Sequence, residues 1–459
     1  MITKEKLAEI LKVGVSTGAD FAEIFIESTI DNTMRGMSGE IETATTSETY
    51  GAGIRLLQGV DEVYGYTNDV SFESLKQLAT DLSQSFEGKP GIVLPLGEER
   101  PYKINIERRM GDVPHEERAE ILKRVSKRIS DYSPKIVQGV MNLLESEQSV
   151  IIANNRGVYQ TDYRPYIRAA FSAVAKDENG MQDSFFGPGA RAGFEFLDTL
   201  NLDEIADDVA ETAIRILGAD QIKPQIMTVV LNNGFGGVIF HEACGHPLEA
   251  SSISKGLSPF VNKIGEVVAS EVVSAYDDGT IDGAWGGMNT DDEGNPPQKN
   301  LLIENGILKG YLVDYRNGKR MGVEPNGSSR RQSYRYSPTS RMNTTYIAAG
   351  KSKFEELIEN TEYGLFAKQL GGGSVNPATG EFNFAVMEGY MIRDGKLAEP
   401  VKGATLIGHG AEVLMNIDMV ADNVLLSQGM CGASSGSIPV DVGQPAIRVQ
   451  NMTVGGGGQ

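Results

Sequence analysis

Histidine is scarce in this chain. Four occur among 459 residues, beside two cysteines and one tryptophan. Two cysteines cannot form the disulfide framework of a secreted scaffold. Basic charge is also short: 42 Lys and Arg against 62 Asp and Glu leave a net charge of -20. That balance argues against nucleic acid as a partner, because phosphate binding needs a basic patch. The run Arg330-Arg331-Gln332-Ser333-Tyr334-Arg335 reads as a solvated loop or a site for a carboxylate. No apolar run approaches the ~20 residues of a membrane span. The opening residues Met1 to Val13 read as the start of a helix rather than a secretion signal. The expectation is a cytoplasmic protein with no membrane partner. At 40% hydrophobic and 23% charged residues, the chain has the composition of an ordinary globular protein with two or three domains.

Against that scarcity, two histidines fall within six residues: His241-Glu242-Ala243-Cys244-Gly245-His246, directly after the apolar run Gly236-Gly237-Val238-Ile239-Phe240. Neutral imidazoles bind zinc, and a neighbouring carboxylate can take a proton from metal-bound water. In the common zinc-protease motif the histidines stand at i and i+4. Here they stand at i and i+5, roughly 140° apart on a helix of 3.6 residues per turn, too far for one metal. A single i→i+5 bulge would bring the second imidazole back, and such bulges concentrate at functional sites. Gly245 relaxes the backbone at low steric cost. The plain alternative is two unrelated histidines on a partly buried helix.

Periodicity places helices at residues 4–17, from a Ser71 cap to Phe86, from His115 to Ile129, and at 202–217. Strands are expected at Phe21 to Glu27 and Glu40 to Leu57. Lys135 to Phe196 should form a further β region, with Asn154-Asn155-Arg156-Gly157 as a hairpin turn. Residues 88–110 read as an irregular crossover. The composition shifts near Gly218 to Pro224. This divides the chain into an α+β domain of residues 1–220, with helices on a mostly antiparallel sheet, and a second domain of residues 221–459. The second is rich in glycine and strand formers, with a twisted or barrel-like β-sheet carrying the motif helix and one helix at about Lys353 to Gln369.

Other stretches carry less. Gly350-Lys351-Ser352 ends like a phosphate-binding loop, but Thr345 stands where the first glycine is required. Gly371-Gly372-Gly373-Ser374 suits either a close approach of two backbones or a surface turn. His115 reads as a solvated residue at a helix start. His409, between Gly408 and Gly410, reads as structural or substrate-contacting rather than a ligand.

Near the C-terminus stand Gly429-Met430-Cys431-Gly432 and Ile438-Pro439-Val440-Asp441-Val442-Gly443-Gln444-Pro445. With these the chain resembles the TldD/PmbA family, once described as modulators of DNA gyrase and now regarded as zinc metallopeptidases. The likeness rests on the histidine motif with Leu248-Glu249, on Gly371-Gly372-Gly373 before Asn376-Pro377, and on Gly380-Glu381-Phe382. It rests also on the Cys431 segment and on Val454-Gly455-Gly456, and it spans essentially the whole chain. The resemblance implies that His241, His246 and Cys431 hold zinc and that Glu242 is the catalytic base. It implies a dimer, of this chain with itself or with a related inactive subunit, acting on peptides or unfolded proteins. The motif is intact, so the chain is similar to the active TldD type.

The expected reaction is peptide hydrolysis by Glu-assisted attack of zinc-bound water, zinc holding the developing oxyanion. Glu249, one turn after His246, is a candidate to orient a ligand imidazole, or else an exposed helix carboxylate. Cys244 reads as a small buried side chain. Between Gly429 and Gly432, Cys431 should lie in a turn with room for a metal. The alternatives are a non-catalytic partner subunit of a peptidase complex, or a structural zinc with Cys244 as fourth ligand. Cys244 stands only two residues from His246, a poor geometry for that role.

Overall fold

The structure, a computed structural model, describes residues 2–102, 106–178, 180–376 and 380–456. Pro377 and the last three residues, both near motifs of the resemblance, lie outside this set.

The N-terminal half is organised on one antiparallel sheet. Its strands run in the order Asp61–Thr67, Glu40–Gln58, Phe21–Met37, Ile136–Asn154, Tyr159–Asp177 and Gly180–Phe186, with Gly189–Ala190 added beside Tyr159–Asp177. The first strand continues ten residues beyond Glu27, where the sequence alternation fades at Asp31 and Asn32. It stays extended because neighbours pair with it on both sides along its length. Ser38 and Gly39, with φ of 49° and 90°, turn it into Glu40–Gln58. Two left-handed residues match the twist of the paired strands.

Helices Lys4–Gly14 and Phe72–Ser83 cover one end of this sheet, burying Leu7, Ile10, Leu11, Leu75 and Ala79 against Ala22, Ile24, Ile54 and Leu56. Thr3 and Ser71 cap these helices through their hydroxyls. Helices His115–Asp131 and Leu202–Leu217 cover the other end with Leu122, Val125, Ile129, Val209 and Ala213. This is the expected arrangement of helices on an antiparallel sheet.

The C-terminal half holds two larger sheets. One runs in the order Ile307–Leu308, Lys299–Glu304, Ala275–Asp278, Thr344–Ile347, Gly436–Gln444 and Leu425–Ala433. In the other, Tyr363–Val375, Gln225–Leu231, Ile447–Gly455, Thr405–His409 and Glu381–Arg393 close into a five-stranded barrel, since the first and last of these also pair. The expected helix from Lys353 to Gln369 is cut short: Phe354–Glu359 is helical and Tyr363–Val375 is a strand. Leu365 and Ala367 point into the main core while Phe366 enters a second apolar cluster. That alternation is a strand's, fixed by parallel pairing with Thr228 to Leu231. In the same strand a side chain on Gly373 would meet the Asn383 carbonyl at 2.2 Å, so close backbone approach accounts for that glycine.

The two halves meet through buried charge. Arg55 of the N-terminal sheet pairs with Glu293 at 2.5 Å, and Arg164 with Asp292 at 2.7 Å. Arg331 pairs with Glu23, and the Tyr334 amide donates to Glu27 at 2.7 Å. The Arg330–Arg335 run is therefore no solvated loop at its start. Arg330 and Arg331 are buried, and Arg331 takes its carboxylate from this same chain.

Candidate metal centre

The apolar strand Gln225–Leu231 delivers the chain into a compact turn, Gly234–Gly237, and then into the motif. Val238–Phe240 is α-helical, His241–Gly245 is a π-helical turn, and His246–Leu248 tightens to a 3-10 turn. The π turn supplies the bulge that the i, i+5 spacing requires. It places the two imidazole rings 5.1 Å apart, nearly perpendicular at 85°. Gly245 is needed here for a reason other than backbone freedom. Its φ is an ordinary helical -54°, but a Cβ would stand 2.0 Å from Met342 Sδ.

Cys431 enters from 185 residues downstream. It lies within the edge strand Leu425–Ala433, opposite Ile438 of Gly436–Gln444, rather than in the turn expected from its flanking glycines. Its Sγ is 3.3 Å from His241 Nε2 and 3.2 Å from His246 Nε2. These three atoms all lie within 4.8 Å of one another. A tetrahedral zinc with Zn–S of about 2.3 Å and Zn–N of about 2.0 Å separates N and S donors by roughly 3.5 Å. The donor set and its spacing fit that ion.

The electrostatics favour a thiolate. Burial opposes ionisation of the Cys431 thiol, but hydrogen bonds from His241 and His246, with their charge, bring its pKa down to about 4. Burial likewise opposes charge on His246, yet the Glu249 carboxylate and Cys431 hold its pKa well above the ordinary range. Glu249 Oε1 receives His246 Nδ1 at 3.1 Å. Glu249 is buried, so it is not the exposed helix carboxylate that the sequence also allowed. Glu242 is more open, its side chain 26% exposed, with Oε2 3.8 Å from His246 Nε2. His241 Nδ1 is buried without a partner among the described residues.

Cys244 stays apart from this cluster. It is fully buried in the main core with Phe240, Leu248 and Met342, and burial pushes its thiol far above the usual range. His409 also lies outside, half-exposed and 3.6 Å from Glu381. His115 begins its helix in the other half of the molecule.

Arg341 escaped the sequence reading. It is fully buried; its guanidinium donates to the Cys431 carbonyl, to Ser435 Oγ at 3.0 Å and to the Gly436 carbonyl at 2.9 Å. Its Nε lies 3.9 Å from Glu249 Oε1. One side chain thus joins the hairpin of Cys431 to the carboxylate that orients His246. Nothing local in Ser340-Arg341-Met342 distinguishes it from a surface arginine.

Family models match the chain in three successive stretches: PmbA/TldA metallopeptidase domain 1 over residues 22–84, the central domain over 108–217 and the C-terminal domain over 224–456. A Haemophilus influenzae protein named Metalloprotease TldD homolog is 34% identical over 471 residues, covering 99% of this chain and 97% of its own. A protein of Methanothermobacter thermautotrophicus named Metalloprotease is 30% identical over 456 residues, covering 99% of each chain. Among solved structures, TldE from Thermococcus kodakarensis superposes with a TM-score of 0.76 at 19% identity, covering 98% of this chain and 100% of its own. A Thermotoga maritima protein described as a modulator of a DNA gyrase gives 0.79 at 21% identity, covering 95% and 96%. At these identities the structural likeness establishes the fold, and the sequence matches establish the relationship. The chain belongs to the PmbA/TldD family of metallopeptidases.

Proposed function

We propose that this chain is a zinc-dependent peptidase acting on peptides or unfolded polypeptides, with His241, His246 and Cys431 as metal ligands and Glu242 as general base. The observation that carries the reading is the convergence of two imidazole nitrogens and a cysteine sulfur within 4.8 Å, beside a partly exposed carboxylate. Three protein donors with one position left open describe a catalytic rather than a structural site. When bound, zinc supplies a Lewis acid that acidifies a water molecule and polarises the scissile carbonyl.

Glu242 takes the proton of the attacking water and passes it to the leaving amine. Glu249 accepts a hydrogen bond from Nδ1–H of His246, which fixes the tautomer and leaves the Nε2 lone pair free for the metal. Arg341 holds the Cys431 strand in place against that carboxylate. A thiolate gives the metal more charge than an imidazole, so Glu242 carries a larger share of water activation than it would beside three histidines.

Leu425–Ala433 is the edge strand of its sheet. An extended substrate paired along such an edge would be held by main-chain hydrogen bonds, with broad tolerance of sequence. We take the assembly to be a dimer, of this chain with itself or with a related subunit that lacks the metal motif, and its compartment to be the cytoplasm. Enclosure of the site between subunits would keep folded proteins out. No helix among the described residues is long and apolar enough to cross a membrane. The test is metal analysis of the pure protein alongside hydrolysis of short peptides, with and without a chelator. About one zinc per chain and chelator-sensitive hydrolysis are expected. Activity that survives complete removal of the metal overturns the reading.

A further inference from the structure

A cavity of about 510 Å³ lies between the N-terminal sheet and the hairpin that carries Cys431. Arg164, Tyr166 and Arg168 line it from alternate positions of one strand, hence from one face. Arg330 and Trp285 line it from the C-terminal half, as does Met430, the residue before Cys431.

The charges in this cavity do not pair off. Arg164 is neutralised by Asp162 and Asp292. Arg330, 5% exposed, donates to the Met342 carbonyl at 3.0 Å and forms no ion pair among the described residues. The buried carboxylates whose fields reach it are committed elsewhere: Asp292, which also lines the cavity, pairs with Arg164 and accepts from the Arg331 amide. Asp277 accepts from the Asn343 amide and side chain and from Thr345. Asp441 accepts from the Gly286 amide, Thr344 and Gln428. Arg168 also has no carboxylate partner among the described residues: it donates to the Gly187 carbonyl at 3.0 Å and the Gln428 carbonyl at 3.3 Å, over the ring of Trp285. A buried guanidinium without a counter-ion is costly unless an anion arrives to meet it. Its planar fork of donors matches a carboxylate. Glu27, Asp31, Glu145 and Asp292 also line the cavity. Glu145 is held by Arg118 and Asp292 by Arg164, and the remaining acidic charge disfavours a doubly charged phosphate more than a singly charged carboxylate.

We propose that this cavity is a substrate subsite in which Arg330 and Arg168 bind a carboxylate of the peptide, either its C-terminal group or an acidic side chain. The inference rests on the peptidase reading and names the substrate chemistry of that site.

Binding decides it separately from catalysis. Fluorescent hexapeptides would be titrated into Glu242→Gln protein as three probes: a free C-terminal acid, the same peptide amidated, and amidated peptides with one Gln replaced by Glu. At least one carboxylate-bearing probe should bind about tenfold more tightly than its neutral counterpart, the scale of a hydrogen bond to a charged group. The first two probes report the C-terminal group and the third reports side chains. In Glu242→Gln backgrounds carrying Arg330→Gln or Arg168→Gln the ratio should fall to near one, and Arg330→Lys should restore part of it. If Arg330→Gln does not fold, Arg168→Gln carries the test. Equal binding of charged and neutral peptides, binding of none, or a preference that survives both arginine substitutions overturns the subsite. Failure of wild-type protein to hydrolyse any peptide would instead remove the peptidase reading and leave this binding result standing.

Discussion

The sulfur of Met342 stands where a side chain on Gly245 would begin, 2.0 Å from an ideal Cβ at that position. Met342 is fully buried, so its side chain has little room to swing aside. Gly245→Ala should overpack this contact, cost about 1–3 kcal/mol of stability, and displace His246, the next residue. Met342→Ala alone should cost about 2–5 kcal/mol by leaving a cavity. The double variant should then be less destabilised than the two costs added. Urea denaturation of all four proteins measures the coupling. Strict additivity would mean that Gly245 is not there to make room for Met342.

Glu242→Gln separates holding the metal from using it. The amide keeps the shape of the carboxylate but cannot accept the proton of water. Zinc content should remain near one per chain while peptide hydrolysis falls by roughly two orders of magnitude or more. Hydrolysis near the wild-type rate would move the general base elsewhere.

Glu249→Gln tests orientation. The carboxylate faces His246 Nδ1 at 3.1 Å and Arg341 Nε at 3.9 Å. Losing its charge should weaken zinc binding by about 10–100-fold, the usual effect of removing a group that orients a ligand imidazole. Competition with a fluorescent chelator reads the affinity directly. An unchanged zinc affinity would leave Glu249 with packing alone.

How far the sequence revealed this arrangement depends on how locally each feature is encoded. The helices were legible because their apolar stripes and the Ser71 cap lie within a few turns. The need for a bulge was also legible, since 3.6 residues per turn cannot bring His241 and His246 together on a straight helix. The extension of the strand from Phe21 through Asp31 and Asn32 was not, because pairing on both sides imposes it rather than alternation. Lys353 to Gln369 misled for the same reason: its apolar spacing suits a helix, while barrel pairing with Thr228 to Leu231 makes Tyr363–Val375 a strand. Arg341 and Met342 carry no motif at all. Their roles exist only once Cys431, Glu249 and Gly245 have been brought to them.

The two cysteines offer the sharpest contrast, since they are chemically identical and differ only in where the fold puts them. Cys431 presents its sulfur to two imidazole nitrogens at 3.2 and 3.3 Å, with its pKa brought down to about 4. Cys244 lies fully buried in the core, its thiol kept neutral by burial. Cys431→Ala should remove one of three ligands, and with it the tie between the edge strand and the motif. Zinc content after dialysis should therefore fall well below one per chain. Thermal stability should fall with it, and added zinc should no longer raise the melting temperature, because a ligand that binds only the native state stabilises it only while the site exists. Cys244→Ala should cost about 1 kcal/mol through lost packing and keep its zinc. Metal analysis and melting curves with and without zinc, run on both variants, decide the matter. Full occupancy in Cys431→Ala, or loss of zinc only in Cys244→Ala, would place the third ligand elsewhere.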